Sequence, residues 1–270
     1  MIQITKNICI ETGMTACNLG LVETDAGLVM VDTPMKPTDA VRWRDEAKAR
    51  GEIRYLINTE EHPDHWQGSW FFPGTLITHQ VTRDKVAQVP VERVIETVNH
   101  MDAAGLTLMG GYNVRLADIT FTKEMTLHLG RHTFQLFSLP GHSSGGIGVY
   151  IPEEAVVFTT DIVFHKMKSW LPEADPEKWL ESLDRLSALD VEVVVPGHGD
   201  LCKKDYFQEQ ADIIRQWMEL VKSAIKQGLS VDEATEKISS PDPYPKQAGT
   251  PMTEPELNRA IVSRLYQLYA

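Results

Sequence analysis

Four residues able to bind a metal or move a proton stand within six positions of one another in this 270-residue chain: Glu60, His62, Asp64 and His65. They follow directly on an apolar, strand-like run over 54–58. Imidazoles and carboxylates this dense in a loop suit ligation of a divalent cation. Three further candidates close apolar runs in the same manner. They are His142 in Leu-Pro-Gly-His-Ser, Asp161 in Phe-Thr-Thr-Asp and His198 in Val-Pro-Gly-His-Gly. A single histidine at a strand end is usually a surface or satisfied core residue. Seven candidate ligands at matching positions argue instead for one site, with four segments converging on one edge of a sheet sandwich.

The elements that must position them alternate between strand and helix. Short β-rich runs are expected at 8–10, 19–23 and 28–31, with a turn at Asp25-Ala-Gly27. A helix is expected from about Thr38 to Arg50, stopped by Gly51. Further strands follow at 76–78, 119–121, 125–129, 133–139, 156–160 and 191–195. Residues 81–105 carry helical spacing broken at Pro90, and 106–113 read as a glycine-bearing loop. A helix over 176–188 separates the last two strands. The pattern changes after Cys202: a long helix spans 205–227, and Ser230-x-x-Glu233 and Thr253-x-x-Glu256 each match a capping box. The expectation is an α/β catalytic core over 1–201, with a helical insertion at about 81–113, and a helical C-terminal extension over 202–270.

Composition narrows the function classes. Lys and Arg total 26 against 38 for Asp and Glu, a formal net charge of −12. That excess argues against nucleic acid or an anionic membrane as partner and leaves a small molecule as the expected substrate. Cys9, Cys17 and Cys202 are an odd, scattered set. They read as reduced thiols of a cytoplasmic protein, and Cys17 and Cys202 as small buried hydrophobes rather than nucleophiles. The first twenty residues lack the basic start and apolar stretch of a signal peptide, and no segment is long and apolar enough to span a membrane.

Taken together, Glu60-x-His62-x-Asp64-His65, then His142, Asp161 and His198, resemble the signature of the metallo-β-lactamase-fold superfamily, His-x-His-x-Asp-His with a later His, Asp and His. Val31-Asp32-Thr-Pro resembles that family's strand-ending aspartate segment, and Gln67-Gly68 the glycine after its motif. The resemblance covers roughly residues 5–201 and implies a four-layer αβ/βα sandwich holding two divalent metal ions in an edge groove. It implies a first site of Glu60, His62 and His142, a second of Asp64, His65 and His198, and Asp161 bridging. By the same resemblance, Asp64 and Asp161 would serve in catalysis as ligands and orienters. A metal-bridging hydroxide would attack an ester, lactone, thioester or amide carbonyl.

The chain departs from that pattern at Glu60, where the family has histidine. Three readings stand: Glu60 ligates as a carboxylate, it has moved aside, or Glu61 or His79 fills the gap. Ligation by Glu60 would lower the formal charge of the site by one. Against the family's usual zinc, that favours iron or manganese more than usual. Three functions follow: a dinuclear metallohydrolase, a di-iron oxidoreductase or oxygenase on the same fold, and a non-catalytic metal-binding homologue. His165, Tyr112 and Trp170 are possible substrate contacts, set against plain surface or packing roles. Asp32 reads as a support for the ligands, and Tyr266, Leu268 and Tyr269 as apolar groups seeking burial within the chain or in a homodimer.

Overall fold

The computed structural model describes residues 1–247 and 252–270. Fourteen strands occur in it: β1 Ile2–Gln3, β2 Ile8–Glu11, β3 Leu19–Thr24, β4 Gly27–Val31, β5 Ile53–Ile57, β6 Thr75–His79, β7 Ile119–Phe121, β8 Glu124–Leu129, β9 His132–Ser138, β10 Ile147–Ile151, β11 Val156–Phe158, β12 Phe164–His165, β13 Val193–Val195 and β14 His198–Gly199. The helices are α1 Pro37–Lys48, α2 Pro63–Trp66, α3 Gln80–Val86, α4 Val91–Met101, α5 Pro176–Ser187, α6 Tyr206–Lys226, α7 Val231–Lys237 and α8 Glu254–Tyr269. One sheet has seven strands in the order β1 to β7, antiparallel as far as β4 and parallel beyond it. The other runs β13-β11-β10-β9-β8, and β12 pairs separately with β14.

Strand alternation builds the layers. In β3 and β4, Leu19, Leu21, Leu28 and Met30 face Trp43, Ala40 and Ala47 of α1, while Val22, Val29 and Val31 face the second sheet. Across the gap, Phe134, Leu136, Ile147, Val149 and Phe158 meet them. The outer face of the second sheet, through Phe137, Leu139, Val157 and Val194, packs on Trp179 of α5, Trp217 of α6 and Val262 of α8. The result is a four-layer αβ/βα sandwich whose last layer includes the C-terminal helices.

Most expected elements are present to within a few residues, including the helix break between α3 and α4 and both capping boxes. Two differences matter. Strand β10 was not expected, yet it is central to the second sheet: all five residues are buried, so Ile147-Gly-Val-Tyr-Ile151 shows no polar alternation to mark it. Residues 103–108 form 3-10 turns across the expected boundary between helix (to 105) and loop (from 106), started by Asp102, whose carboxylate accepts from the Gly105 N–H. Of the proline-bearing stretch 241–251, residues 248–251 lie outside those described. Among the described residues, no helix is long and apolar enough to cross a membrane.

Candidate metal centre

Four chain segments reach one edge of the sandwich, each delivered by a strand of its core. The segment after β5 carries Glu60, His62, Asp64 and His65, the last two in the single turn of α2; the segments after β9, β11 and β13 carry His142, Asp161 and, at the start of β14, His198. Backbone pairing ties the two sheets together at this edge, with Ile147 N–H donating to the Thr59 carbonyl at 2.8 Å. The turn before Asp161 holds Thr160 at φ 47°, a left-handed conformation that a β-branched residue rarely adopts, and this turn aims the carboxylate at the cluster. Gly197 is needed for the same approach, since a Cβ there would lie 1.8 Å from Asp161 Oδ1.

All seven candidate side chains meet. Glu60–His62–His142, Asp64–His65–His198 and Glu60–His65–Asp161 each offer ligand atoms within 4.8 Å of one another. The first two groups are the sets that the motif resemblance implies. Asp161 lies between them, with Oδ1 3.4 Å from His65 Nε2 and Oδ2 3.2 Å from His198 Nε2 and 3.6 Å from His142 Nε2. Glu60 is as central: its Oε1 is 2.5 Å from His62 Nδ1, 3.4 Å from His65 Nε2 and 3.6 Å from His142 Nε2. The alternatives for Glu60 find other uses in the structure. Glu61 turns its carboxylate away to Lys85, Ser144 and Gly145. His79 caps α3 through Nδ1, and its Nε2 contacts the Thr122 carbonyl.

The donor set suits divalent cations. Glu60 Oε2, His62 Nε2, His65 Nε2 and Asp161 Oδ1 are buried without a hydrogen-bond partner, and buried polar atoms of native proteins are rarely left so. Outer contacts orient the imidazoles. His142 Nδ1–H donates to the Trp170 carbonyl at 2.9 Å, which leaves Nε2 facing the cluster. His65 Nδ1 faces Asp32 Oδ2 at 3.0 Å, again leaving Nε2 inward. Burial opposes the charged forms of Glu60, His62, Asp64, His65, Asp161 and His198. For His198 the carboxylates of Asp161 and Asp64 outweigh it and hold the pKa up at about 10. For Asp64 and Asp161 the neighbouring imidazoles outweigh it and hold both well below the usual carboxylate range. The cluster is a dense set of carboxylates and imidazoles. His62 and Asp64, each about one-fifth exposed, open it to solvent while the other five side chains are buried.

The three possible substrate contacts are occupied locally. Tyr112 is buried among Trp66, Val94 and Val98, and its hydroxyl donates to the Gln67 carbonyl. Trp170 packs its side chain on the α5–α6 cluster. His165 Nδ1 pairs with the Asp200 carbonyl, its ring lying 4.6 Å from that of Tyr206. Away from the cluster, His132 faces Glu154 at 3.0 Å, a pair 22 positions apart that no spacing rule exposes. Asp32 takes the supporting position expected for it.

The sequence profile of the Metallo-beta-lactamase superfamily matches residues 12–198. Among curated proteins, the chain is 26% identical over 177 residues to a hydroxyacylglutathione hydrolase of Erythrobacter litoralis, covering 65% of this chain and 59% of that protein. It is 22% identical over 265 residues to a linear primary-alkylsulfatase of a Pseudomonas species, covering 82% and 49% respectively. The chain thus spans about half to three-fifths of the length of these relatives. Among solved structures it resembles a metallo-beta-lactamase from Pontibacter korlensis (TM-score 0.64, 18% identity, 79% of this chain and 97% of that one). It also resembles an inverting sec-alkylsulfatase from a Pseudomonas species (TM-score 0.71, 14% identity, 97% and 49%). With profile, fold and ligand order in agreement, the chain belongs to the metallo-beta-lactamase superfamily.

Proposed function

We propose that the protein is a dinuclear metal-dependent hydrolase acting on an ester, lactone, thioester or amide of a small molecule. The observation that carries this reading is the convergence of seven carboxylate and imidazole side chains from four loops, four of them with buried atoms that lack a partner. Glu60, His62 and His142 would hold one cation and Asp64, His65 and His198 the other, with Asp161 between them. Bound divalent ions would supply an acidified water and an electrophile for the scissile oxygen. The chain's own residues do the rest. Trp170 and Asp32 fix the imidazole tautomers, and Asp161 and Glu60 set the spacing of the two halves. Asp64, the most exposed carboxylate of the cluster, would act as ligand and orienter, with its Oδ2 3.2 Å from His198 Nε2. The relatives are a hydroxyacylglutathione hydrolase and a linear primary-alkylsulfatase, which supports a small ester-like substrate here. We assign the catalytic core to 1–201 and treat 202–270 as an extension packed on it. The three free cysteines favour a cytoplasmic setting.

The central position of Glu60 supports a second reading. A third carboxylate among the ligands lowers the charge of the site and favours iron over zinc, as a di-iron oxidoreductase requires. Elemental analysis of protein produced without added metal, followed by a panel of chromogenic ester, lactone, thioester and alkyl-sulfate substrates, decides between them. Two ions per chain with turnover on any ester class supports the hydrolase. Iron with oxygen uptake in the presence of a reductant, and an inert panel, would replace it with the second reading. Fewer than two ions and no activity of either kind would leave a metal-binding homologue.

A further inference from the structure

Glu61 stands between two candidate ligands, yet its side chain leaves the cluster. In an extended segment, residues two apart share a face and the one between them points away, and the contacts follow this rule. Glu60 and His62 meet at the centre, while the Glu61 carboxylate, only 6% exposed, enters the loop that carries His142. There Oε1 accepts from Ser144 N–H at 3.2 Å, from the Ser144 hydroxyl at 3.2 Å and from Lys85 Nζ at 2.7 Å. Oε2 accepts from Gly145 N–H at 3.0 Å. Thr82 closes the far side: its hydroxyl donates to the Gly145 carbonyl at 2.9 Å and lies 3.3 Å from Glu61 Oε2. The fit admits no side chain at 145, where a Cβ would lie 2.3 Å from Thr82 Oγ1 and 2.6 Å from Glu61 Oε2.

We infer that Glu61 is a positioning residue that latches the His142 loop to the 60–65 loop and so assembles the Glu60–His62–His142 half of the centre. The geometry supports this over a general structural role. Two backbone N–H groups, those of the second and third residues after His142, end on one buried carboxylate whose chain neighbours are Glu60 and His62. The latch therefore spans the gap that the first half-site must hold closed, where His142 Nε2 and His62 Nδ1 lie 3.1 Å apart. Hydrogen bonds to an ionised, buried acceptor are the strong kind. The Lys85 ammonium, itself nearly half exposed, adds charge from one side without being needed for the loop contacts. In the Asp64–His65–His198 half, His65 is held by Asp32 and His198 comes from a segment the latch does not touch, so loss of the latch should act chiefly on the half that contains His142.

The inference rests on the two-cation reading above, and the test separates the two. The probe is Co²⁺ added to metal-free protein, followed by equilibrium dialysis and visible absorption. Wild-type protein is expected to bind two Co²⁺. Glu61→Ala should keep one with unchanged affinity and weaken the other by about 10–100-fold, as loss of a ligand's supporting contact typically does. Glu61→Gln, which keeps one acceptor oxygen, should fall between them. Gly145→Ala, which strikes the latch from the other side, should reproduce the Glu61→Ala result. In metal-free protein, the Ser144 and Gly145 amides should exchange at least about tenfold faster in Glu61→Ala, while the amides of the β11–β13 pair stay as they are. Equal weakening of both Co²⁺ ions would indicate a merely structural role and overturn the inference, as would two wild-type affinities with unchanged exchange. If wild-type protein binds fewer than two Co²⁺, the two-cation reading falls, and the amide exchange alone judges the latch. Should Glu61→Ala not fold, Gly145→Ala and Glu61→Gln carry the same comparison.

Discussion

His65 Nδ1 lies 3.0 Å from Asp32 Oδ2, and both side chains are buried. Asp32 sits at φ 60°, just past the end of β4, a left-handed conformation that Asp and Asn tolerate better than other side chains. From there it also accepts from Thr59 N–H at 2.7 Å and from the Thr59 hydroxyl at 2.6 Å. One carboxylate thus fixes both the ring of a candidate ligand and the backbone at the root of the ligand loop. Asp32→Ala is expected to lower metal affinity about 10–100-fold and to destabilise the fold. Asp32→Asn keeps the backbone conformation and the bond to Thr59 N–H, so it should fold well and lose affinity less. Dialysis against a metal chelator, with the thermal midpoint read in parallel, measures both. Unaltered metal retention in Asp32→Ala would remove Asp32 from the site.

Glu60 supplies the next prediction. Its Oε1 faces His62, His65 and His142 together, so it borders both halves of the cluster. Glu60→Gln should lower occupancy at one position and reduce turnover, because a neutral amide binds a hard cation far more weakly than a carboxylate does. Glu60→His should retain two ions and shift preference toward zinc. The check is metal content by identity for each variant. If Glu60→Ala kept both the number and the identity of the ions, Glu60 would not be a ligand.

The residues of the cluster were legible because each ends an apolar strand with a short polar turn, and such turns converge at sheet edges. Of their supports, Asp32 was legible and the others were not. Glu61 contacts a loop more than eighty positions away, and Tyr112 spends its hydroxyl on the Gln67 carbonyl inside the insertion. Neither partner follows from local spacing. Strand β10 escaped for a related reason: buried on both faces, it has no polar alternation, and glycines stand at 145, 146 and 148 around and within it. The sequence carries periodicity within elements. Contacts between distant loops carry the precision of the site, and periodicity does not encode them.

A pH prediction comes from the far end of the sandwich. Burial opposes ionisation of Glu154, but the Asn7 amide, the Thr5 hydroxyl and His132 outweigh it and hold its pKa below the usual 4.5. A depressed carboxyl pKa contributes stability above the unfolded value, and that stability is lost as pH falls through the folded value. Glu154→Gln keeps the shape and removes the charge. Its thermal midpoint should lie roughly 2–4 °C below wild type at pH 7 for about 1 kcal/mol. The two proteins should converge once the medium is acid enough to protonate Glu154 in the folded state. Melting curves from pH 3 to 8 test this, and a deficit that stayed constant across the range would show that the carboxylate charge is not what matters.

The last prediction concerns the grip of the helical extension on the site. Gln210, in α6, is fully buried. Its Oε1 accepts from Phe164 N–H at 3.0 Å, and its Nε2 donates to Ser169 Oγ at 2.7 Å. Ser169 N–H in turn donates to Asp242 at 2.8 Å. The segment so held begins with Phe164, which pairs with His198 across β12 and β14 and stacks on its ring at 5.4 Å. It continues to Trp170, whose carbonyl accepts from His142. Gln210→Leu matches the residue in bulk but strands the Phe164 N–H in an apolar setting, which costs about 1–3 kcal/mol. Denaturant unfolding should therefore show a lower midpoint with an unchanged slope, and Co²⁺ affinity should fall at the half that contains His198. Ser169→Ala, which removes one end of the network and leaves Phe164 paired, should be milder on both counts. Wild-type stability in Gln210→Leu would show that the extension covers the core without helping to build the metal centre.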